Sequence, residues 1–116
     1  MNVVVLRGTL SRPSTRRTLP SGDQLTLLEV TTRDGDAVAT VPVVWPAAGA
    51  RELPAGLEVV VRGVVRRRYF RAAGATASRT EVVADAVAPV TDRRRARRVV
   101  DGAAERIASL RSDHAK

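Results

Sequence analysis

The sequence has no cysteine and a single histidine, His114. The lack of cysteine excludes disulfides, thiolate nucleophiles and zinc sites with thiolate ligands. His114 stands close to the C-terminal end, where we expect a solvated side chain rather than a catalytic one. The glycine-containing segments match neither a phosphate-binding loop nor a dinucleotide fingerprint. We therefore expect no metal site, no cofactor and no enzymatic activity.

Long apolar runs are also missing, and none approaches the ~20 residues that cross a bilayer. The N-terminal end enters the apolar segment 3–6 without the basic region and small-residue cleavage site of a secretory signal peptide. These absences predict no contact with a membrane and a cytoplasmic location. Aromatic residues make up only 3% of the chain, so only Trp45, Tyr69 and Phe70 can offer a flat ring to a ligand.

Positive charge is what the chain has in excess. The 20 lysine and arginine residues outnumber the 12 aspartate and glutamate residues, which gives a net charge of +8 at pH 7. Lys116 is the only lysine, and arginine can grip a phosphate with two parallel hydrogen bonds or stack on a base. This excess favours a polyanionic partner, without distinguishing among DNA, RNA and acidic lipid.

Short apolar segments separated by turn residues fill residues 1–90. At 116 residues the chain has room for one compact domain and a short appendage. Gly63 predicts a bulge in the longest apolar segment, and Pro42 predicts an edge or bulged position in the third. Five strands joined by short turns predict a small closed barrel. The predicted strands are 2–10, 24–33, 37–45, 57–70 and 78–87.

The character of the chain changes after Pro89. Residues 92–111 are compatible with a helix, which divides the chain into a barrel domain at 1–90 and a basic helix or tail at 91–116. An apolar stripe on this helix packs either on its own barrel or on a partner, and the sequence leaves both open. The stripe consists of Val99, Ala103, Ile107 and Leu110.

Five segments of the barrel domain carry motifs in a defined order. Residues 2–10 form an apolar strand ending in Gly-Thr-Leu, and residues 19–22 form a Leu-Pro-Ser-Gly turn. Residues 43–45 end a strand in Trp45, and residues 63–70 run from a glycine through three arginines to Tyr69 and Phe70. Residues 79–85 have the sequence Arg-Thr-Glu-Val-Val-Ala-Asp. Over residues 1 to about 88, this series resembles the bacterial single-stranded DNA-binding (SSB) family.

The SSB resemblance implies an all-β, five-stranded OB-fold barrel, here followed by a C-terminal α-helical extension. It implies binding of single-stranded DNA largely without sequence preference, as an accessory in DNA replication, repair or recombination. It also implies a nucleoid-associated homo-oligomer, either a dimer or a tetramer. The chain departs from the family in a shorter hairpin between the second and third strands, and in a shorter loop at 46–56. The acidic C-terminal tip of typical members is absent from this sequence, so we expect no recruitment of repair enzymes by that route.

By this resemblance Trp45 and Phe70 take the positions of base-stacking aromatics, and Arg66 and Arg68 take those of phosphate contacts. Strand alternation places Arg66, Arg68 and Phe70 on one face and Tyr69 on the other. Because rings are few, we expect charge to supply much of the affinity, with a steep salt dependence. The remaining candidate contacts are Tyr69, Arg71, Arg62, Arg79, Arg17 and Arg33.

A second group of arginines opens the predicted helix, at the end where the helix dipole favours negative charge. The sequence leaves three roles open for this group: a second nucleic-acid contact, a solvated helix face or a contact with an acidic partner. Two other functions stay open for the barrel, namely a basic RNA-binding or primosome-type accessory protein and a protein-interaction module. The second group consists of Arg93, Arg94, Arg95, Arg97 and Arg98.

Overall fold

The computed structural model describes residues 1–47 and 50–114, with the side chains of residues up to 110. Within the described residues, six strands precede one helix. No helix in this part of the chain is both long enough and apolar enough to cross a membrane. The elements are β1 (Val4–Leu10), β2 (Thr15–Thr18), β3 (Gln24–Asp34), β4 (Ala37–Trp45), β5 (Glu58–Ala72), β6 (Ala75–Pro89) and α1 (Arg93–His114).

Five of the strands close into a barrel in the order β1-β5-β6-β4-β3, because β3 pairs back onto β1 at Thr9↔Thr31 and Leu10↔Val30. The pairing of β4 with β6 is parallel, whereas the other pairings are antiparallel. The predicted five-stranded barrel is therefore confirmed. The sixth strand, β2, was not predicted; it extends the sheet from the edge of β3.

The barrel core consists mainly of branched aliphatic side chains at alternate strand positions. In β3, Thr26, Leu28 and Val30 point inward with 4%, 3% and 0% exposure, as strand alternation requires. Val59 and Val61 of β5 are fully buried against them. The side chains at the intervening positions of these strands face outward. This outer surface carries the candidate site.

Gly63 marks the irregularity that the sequence predicts. Arg62 pairs with Ala86 but Gly63 pairs with Ala84, so the extra residue, Asp85, lies on β6 rather than on β5. A Cβ at Gly63 would lie 2.1 Å from the carbonyl oxygen of Val83, which only glycine can avoid. The bulge therefore sits where it was predicted, although the neighbouring strand supplies the additional residue.

Helix α1 packs on the outer face of β5 and β6. Val99 is 5% exposed and packs with Val60 and Ala88, and Ala103 is 3% exposed on the same side of the helix. This half of the apolar stripe covers its own barrel. The other half does not, because Ile107 and Leu110 are 52% and 40% exposed.

Candidate nucleic-acid interface

A two-stranded ribbon projects beyond the barrel. Strand β1 leaves β5 at the pair Val4↔Gly63, whereas β5 and β6 stay paired with each other as far as Ala72↔Ala75. We call residues 66–81 the arm. Its two-residue turn has positive φ at both Ala73 and Gly74, 51° and 78°, a combination that matches the twist of the flanking strands.

A cleft lies between the base of the arm and the outer faces of β2, β3 and β4. Its floor is apolar and includes Leu25, Leu27, Pro42 and Val44. Guanidinium groups surround this floor, with two glutamates, Glu29 and Glu81, among them. We call this site the arginine cleft. Its arginines are Arg12, Arg17, Arg66, Arg68 and Arg79.

Glu81 lies at the centre of the positive charge. Its side chain is 2% exposed, and its two oxygens lie 2.5 Å from Nη2 of Arg66 and 3.5 Å from Nε of Arg68. The two arginines are themselves 49% and 42% exposed. Glu81 thus holds both guanidinium groups at the mouth of the cleft while leaving part of each open to solvent.

Glu81 was not among the residues predicted from sequence. The sequence gives one indication that Glu81 needs charged partners, namely its position next to the apolar run Val82-Val83-Ala84. A carboxylate in such a strand is almost never buried unless it is paired. Its arginine partners lie across the ribbon, so the pairing follows from strand register rather than from sequence spacing.

The predicted alternation along β5 is confirmed for one face of the arm. Arg66 pairs across the ribbon with Glu81, and Arg68 pairs with Arg79, so these side chains share the face that borders the cleft. The guanidinium carbon of Arg68 lies 5.4 Å from the ring centroid of Phe70, within the range of a cation–π contact. Tyr69 and Arg71 have the opposite parity and lie on the other face.

No protein-family model matches the chain, and no curated protein sequence matches it. Among solved structures, the chain is similar to a Plasmodium falciparum SSB in complex with ssDNA. The TM-score is 0.60 with 18% sequence identity, over 72% of this chain and 85% of that one. The fold is an OB-fold. At this identity the comparison establishes the fold alone, and it confirms the predicted barrel.

Trp45 does not line the arginine cleft, whereas the prediction placed it on one surface with Phe70. Trp45 lies two residues after the buried Val43 on β4, so its side chain points toward the interior. It is partly buried and packs against the core of the OB barrel. Its surroundings include Leu53, Val87 and Arg95 near one end of the barrel. The inference from resemblance had placed both rings on one surface, but the structure separates them.

Arg62, also a predicted nucleic-acid contact, does not line the arginine cleft. Its Nε donates to Oδ1 of Asp85 at 2.7 Å, and its Nη1 donates to the carbonyls of Arg98 and Val99 at 3.4 and 3.3 Å. With 18% of its side chain exposed, Arg62 joins α1 to the OB barrel. The alternation of side chains along β5 could not predict this role, because α1 covers the strand at Arg62.

Arg33 lies in a different cleft of the OB barrel, with Arg7, Ser11 and Glu58 near the closure between β1 and β3. Arg33, a predicted nucleic-acid contact, therefore does not line the arginine cleft. Arg17 and Arg79, two other predicted nucleic-acid contacts, do line the arginine cleft.

The arginines that open α1 divide into two sets. The Nη2 of Arg95 donates to the carbonyl of Val87 at 3.4 Å, and its backbone N–H donates to Asp92, which caps the helix. Arg95 therefore has a structural role in addition to its charge. The other members are exposed and form no ion pair within the described residues; they are Arg93, Arg94, Arg97 and Arg98.

Proposed function

We propose that this chain binds single-stranded DNA, largely without sequence preference, in the arginine cleft. The observation that carries the proposal is the grouping of five arginines around an apolar floor on the outer face of the barrel. Sequence-tolerant binding of a single strand needs positive charge along the backbone and apolar surface beneath the bases. The cleft supplies both on one surface.

The position of the cleft on the barrel supports the proposal. OB-folds bind oligonucleotides on the face of their second and third strands, together with the loop between the fourth and fifth. In this chain β2 lies outside the barrel, so the second and third barrel strands are β3 and β4, which provide the floor of the cleft. The arm joins the fourth and fifth barrel strands, β5 and β6, and provides Arg66, Arg68 and Arg79. The similar structure from Plasmodium falciparum is itself a complex with ssDNA.

Charge supplies most of the affinity in this proposal. Phe70 is the one aromatic ring beside the cleft, and a single stacked base contributes about 1–3 kcal/mol. Each phosphate neutralised on a single strand adds about 0.7 to the slope of log affinity against log salt concentration. Binding is therefore of modest affinity and weakens steeply as salt is added.

The test is a titration of a labelled oligo-dT at several salt concentrations with the double variant R66A/R68A, at a temperature where the variant is folded, because Glu81 loses both of its partners. We expect a weakening of about tenfold or more, because each arginine can donate charge-assisted hydrogen bonds to phosphate. The salt slope should also fall by about 1.4, the amount for two phosphate contacts. The matched control is Arg7→Ala, an exposed arginine outside the cleft that pairs with Glu58.

Competition with matched duplex DNA and RNA separates the proposal from its rivals. Duplex DNA bound as tightly as the single strand would contradict it, and so would an affinity that does not respond to salt. Preference for RNA would indicate recognition of the 2′-hydroxyl and favour the RNA-binding alternative. An R66A/R68A variant that binds like the parent protein would leave the cleft without a role.

The wider proposal is a non-catalytic accessory in DNA replication, repair or recombination, acting as a homo-oligomer in the cytoplasm at the nucleoid. The exposed apolar residues Val100, Ile107 and Leu110 of α1 support self-association. The exposed arginines at the start of α1 provide a second, auxiliary contact with nucleic acid, and a bound phosphate would reduce the repulsion between those that lie four residues apart.

A further inference from the structure

The arm has a second face that the arginine cleft does not use. Beyond Val65 and Val82 the two strands of the ribbon pair only with each other, so neither of its edges is extended by another strand. Tyr69 is 68% exposed on this second face. We define the second face by Arg67, Tyr69, Arg71, Thr76, Ser78 and Thr80.

The side chains of the second face repeat the alternation of cation and ring found on the first. Arg67, Tyr69 and Arg71 follow one another at spacings of two, so that the ring has a guanidinium group on either side along the strand. The Nε and Nη2 of Arg67 both donate to Oγ of Ser78, at 3.1 and 2.9 Å, which fixes its orientation. No acidic residue belongs to this face, whereas the first face has Glu81.

Folding does not account for these residues. Burial of an aromatic side chain stabilises a protein, but Tyr69 leaves most of its ring in water and pairs across the ribbon with the small residue Ser78. A tyrosine at this position gains little from packing. An exposed ring between two guanidinium groups is instead the arrangement that stacks a base and contacts its flanking phosphates.

We infer that the second face of the arm is a separate nucleotide subsite, which takes one stacked base on Tyr69 and flanking phosphates on Arg67 and Arg71. The inference rests on the proposed function, because the same strand is bound first in the arginine cleft. Phe70 and Tyr69 are adjacent in sequence but lie on opposite faces of a ribbon one layer thick. A strand that passes around the turn at Ala73 and Gly74 contacts both.

The test compares a short and a long oligo-dT, of about 4 and about 16 nucleotides, the two ends of the range for one OB-fold. Tyr69→Ala should weaken binding of the long oligonucleotide by roughly 5- to 150-fold, the equivalent of one lost stacked base. Binding of the short oligonucleotide, which the cleft alone accommodates, should be unchanged. Tyr69→Phe keeps the ring and should restore the long-oligonucleotide affinity.

Two reference variants make the outcomes distinct. Val38→Ala removes an exposed apolar side chain from the hairpin between β3 and β4 and should change neither affinity. R66A/R68A should weaken binding at both lengths, and its failure to do so would overturn the proposed function. Should Tyr69→Ala bind both lengths like the parent, or weaken both equally, the separate subsite is refuted while binding in the cleft stands.

Discussion

Glu81 places negative charge at the centre of a cleft that we propose to bind an anion. Substitution by glutamine keeps the shape of the side chain but removes its charge, so that Arg66 and Arg68 lose an internal counter-ion. Both arginines emerge from a paired ribbon, which continues to fix their backbone positions. The charge change should therefore outweigh any loss of side-chain order.

We expect Glu81→Gln to bind oligo-dT more tightly at low salt, with a salt slope steeper by about 0.7 for one additional positive charge. The measurement is a titration at several salt concentrations. Glu58→Gln is the control, because Glu58 pairs with Arg7 outside the arginine cleft. Weaker binding by Glu81→Gln would mean that the carboxylate is needed to position the arginines.

We expect Trp45 to contribute to stability rather than to binding, because it packs against the barrel core. Truncation to alanine should cost about 3 kcal/mol of unfolding free energy, the lower end of the range for large aromatic residues, because Trp45 is only partly buried. Urea unfolding measures this loss. At a temperature where the variant is folded, its affinity for oligo-dT should stay within twofold of the parent's, and a larger loss would return Trp45 to the binding surface.

At the scale of elements, α1 is held to the barrel by charge as well as by apolar packing. Asp85, the extra residue of the bulge, accepts hydrogen bonds from Nε of Arg62 at 2.7 Å and contacts Nη1 of Arg106 at 2.8 Å. Partial burial raises the pKa of Asp85, but the hydrogen bonds and charges of Arg106 and Arg62 outweigh it. The pKa is consequently held below its ordinary value.

This depressed pKa predicts the sign of a pH effect. Because the folded protein holds the carboxylate ionised more strongly than the unfolded chain does, Asp85 stabilises the fold above the unfolded pKa of about 3.9. That contribution is lost as the pH falls through the lower, folded value. Asp85→Asn should therefore be less stable than the parent at neutral pH, and the difference should shrink in acid.

Denaturant unfolding between neutral pH and about pH 3 measures this difference. Asp36→Asn, in the exposed hairpin between β3 and β4, is the control for a carboxylate without such partners. A constant difference between the parent and Asp85→Asn across this range would show that the carboxylate charge does not hold the helix.

The elements that sequence could predict are those that bury a periodic apolar face. Alternating apolar residues located five strands, and Gly63 located the bulge, because each pattern has a direct geometric cause. Strand β2 escaped prediction because its four residues are all polar and exposed, so no alternation distinguishes them from a loop. It forms only because the outer edge of β3 offers a partner.

The candidate site was predictable only in part, for reasons of tertiary structure. The alternation of side chains along a strand predicted that Arg66, Arg68 and Phe70 share one face, and the structure agrees. Arg62 has the same parity, but α1 covers it, and the covering helix is separated from β5 by the whole of β6. The contribution of Arg17 depends on β2, so sequence could propose the residue without locating it.

At the scale of the whole molecule, the uncovered half of the apolar stripe on α1 is a candidate contact between copies of the chain. If Ile107 and Leu110 are buried between copies, Ile107→Asp should lower the mass of the particle to that of the monomer. Light scattering on the full chain measures this mass. The fold should persist in the variant, since Ile107 is 52% exposed in the single chain. An unchanged oligomer would place the interface elsewhere.

The arginine cleft contains no lysine, and this has a consequence for control. A guanidinium group stays protonated throughout the physiological pH range, so the charge that the cleft offers to a phosphate is constant. Acetylation, which neutralises lysine, has no target among these side chains. If the cleft binds a single strand as proposed, we expect its release to depend on ionic strength, on competing polyanions or on displacement by another protein.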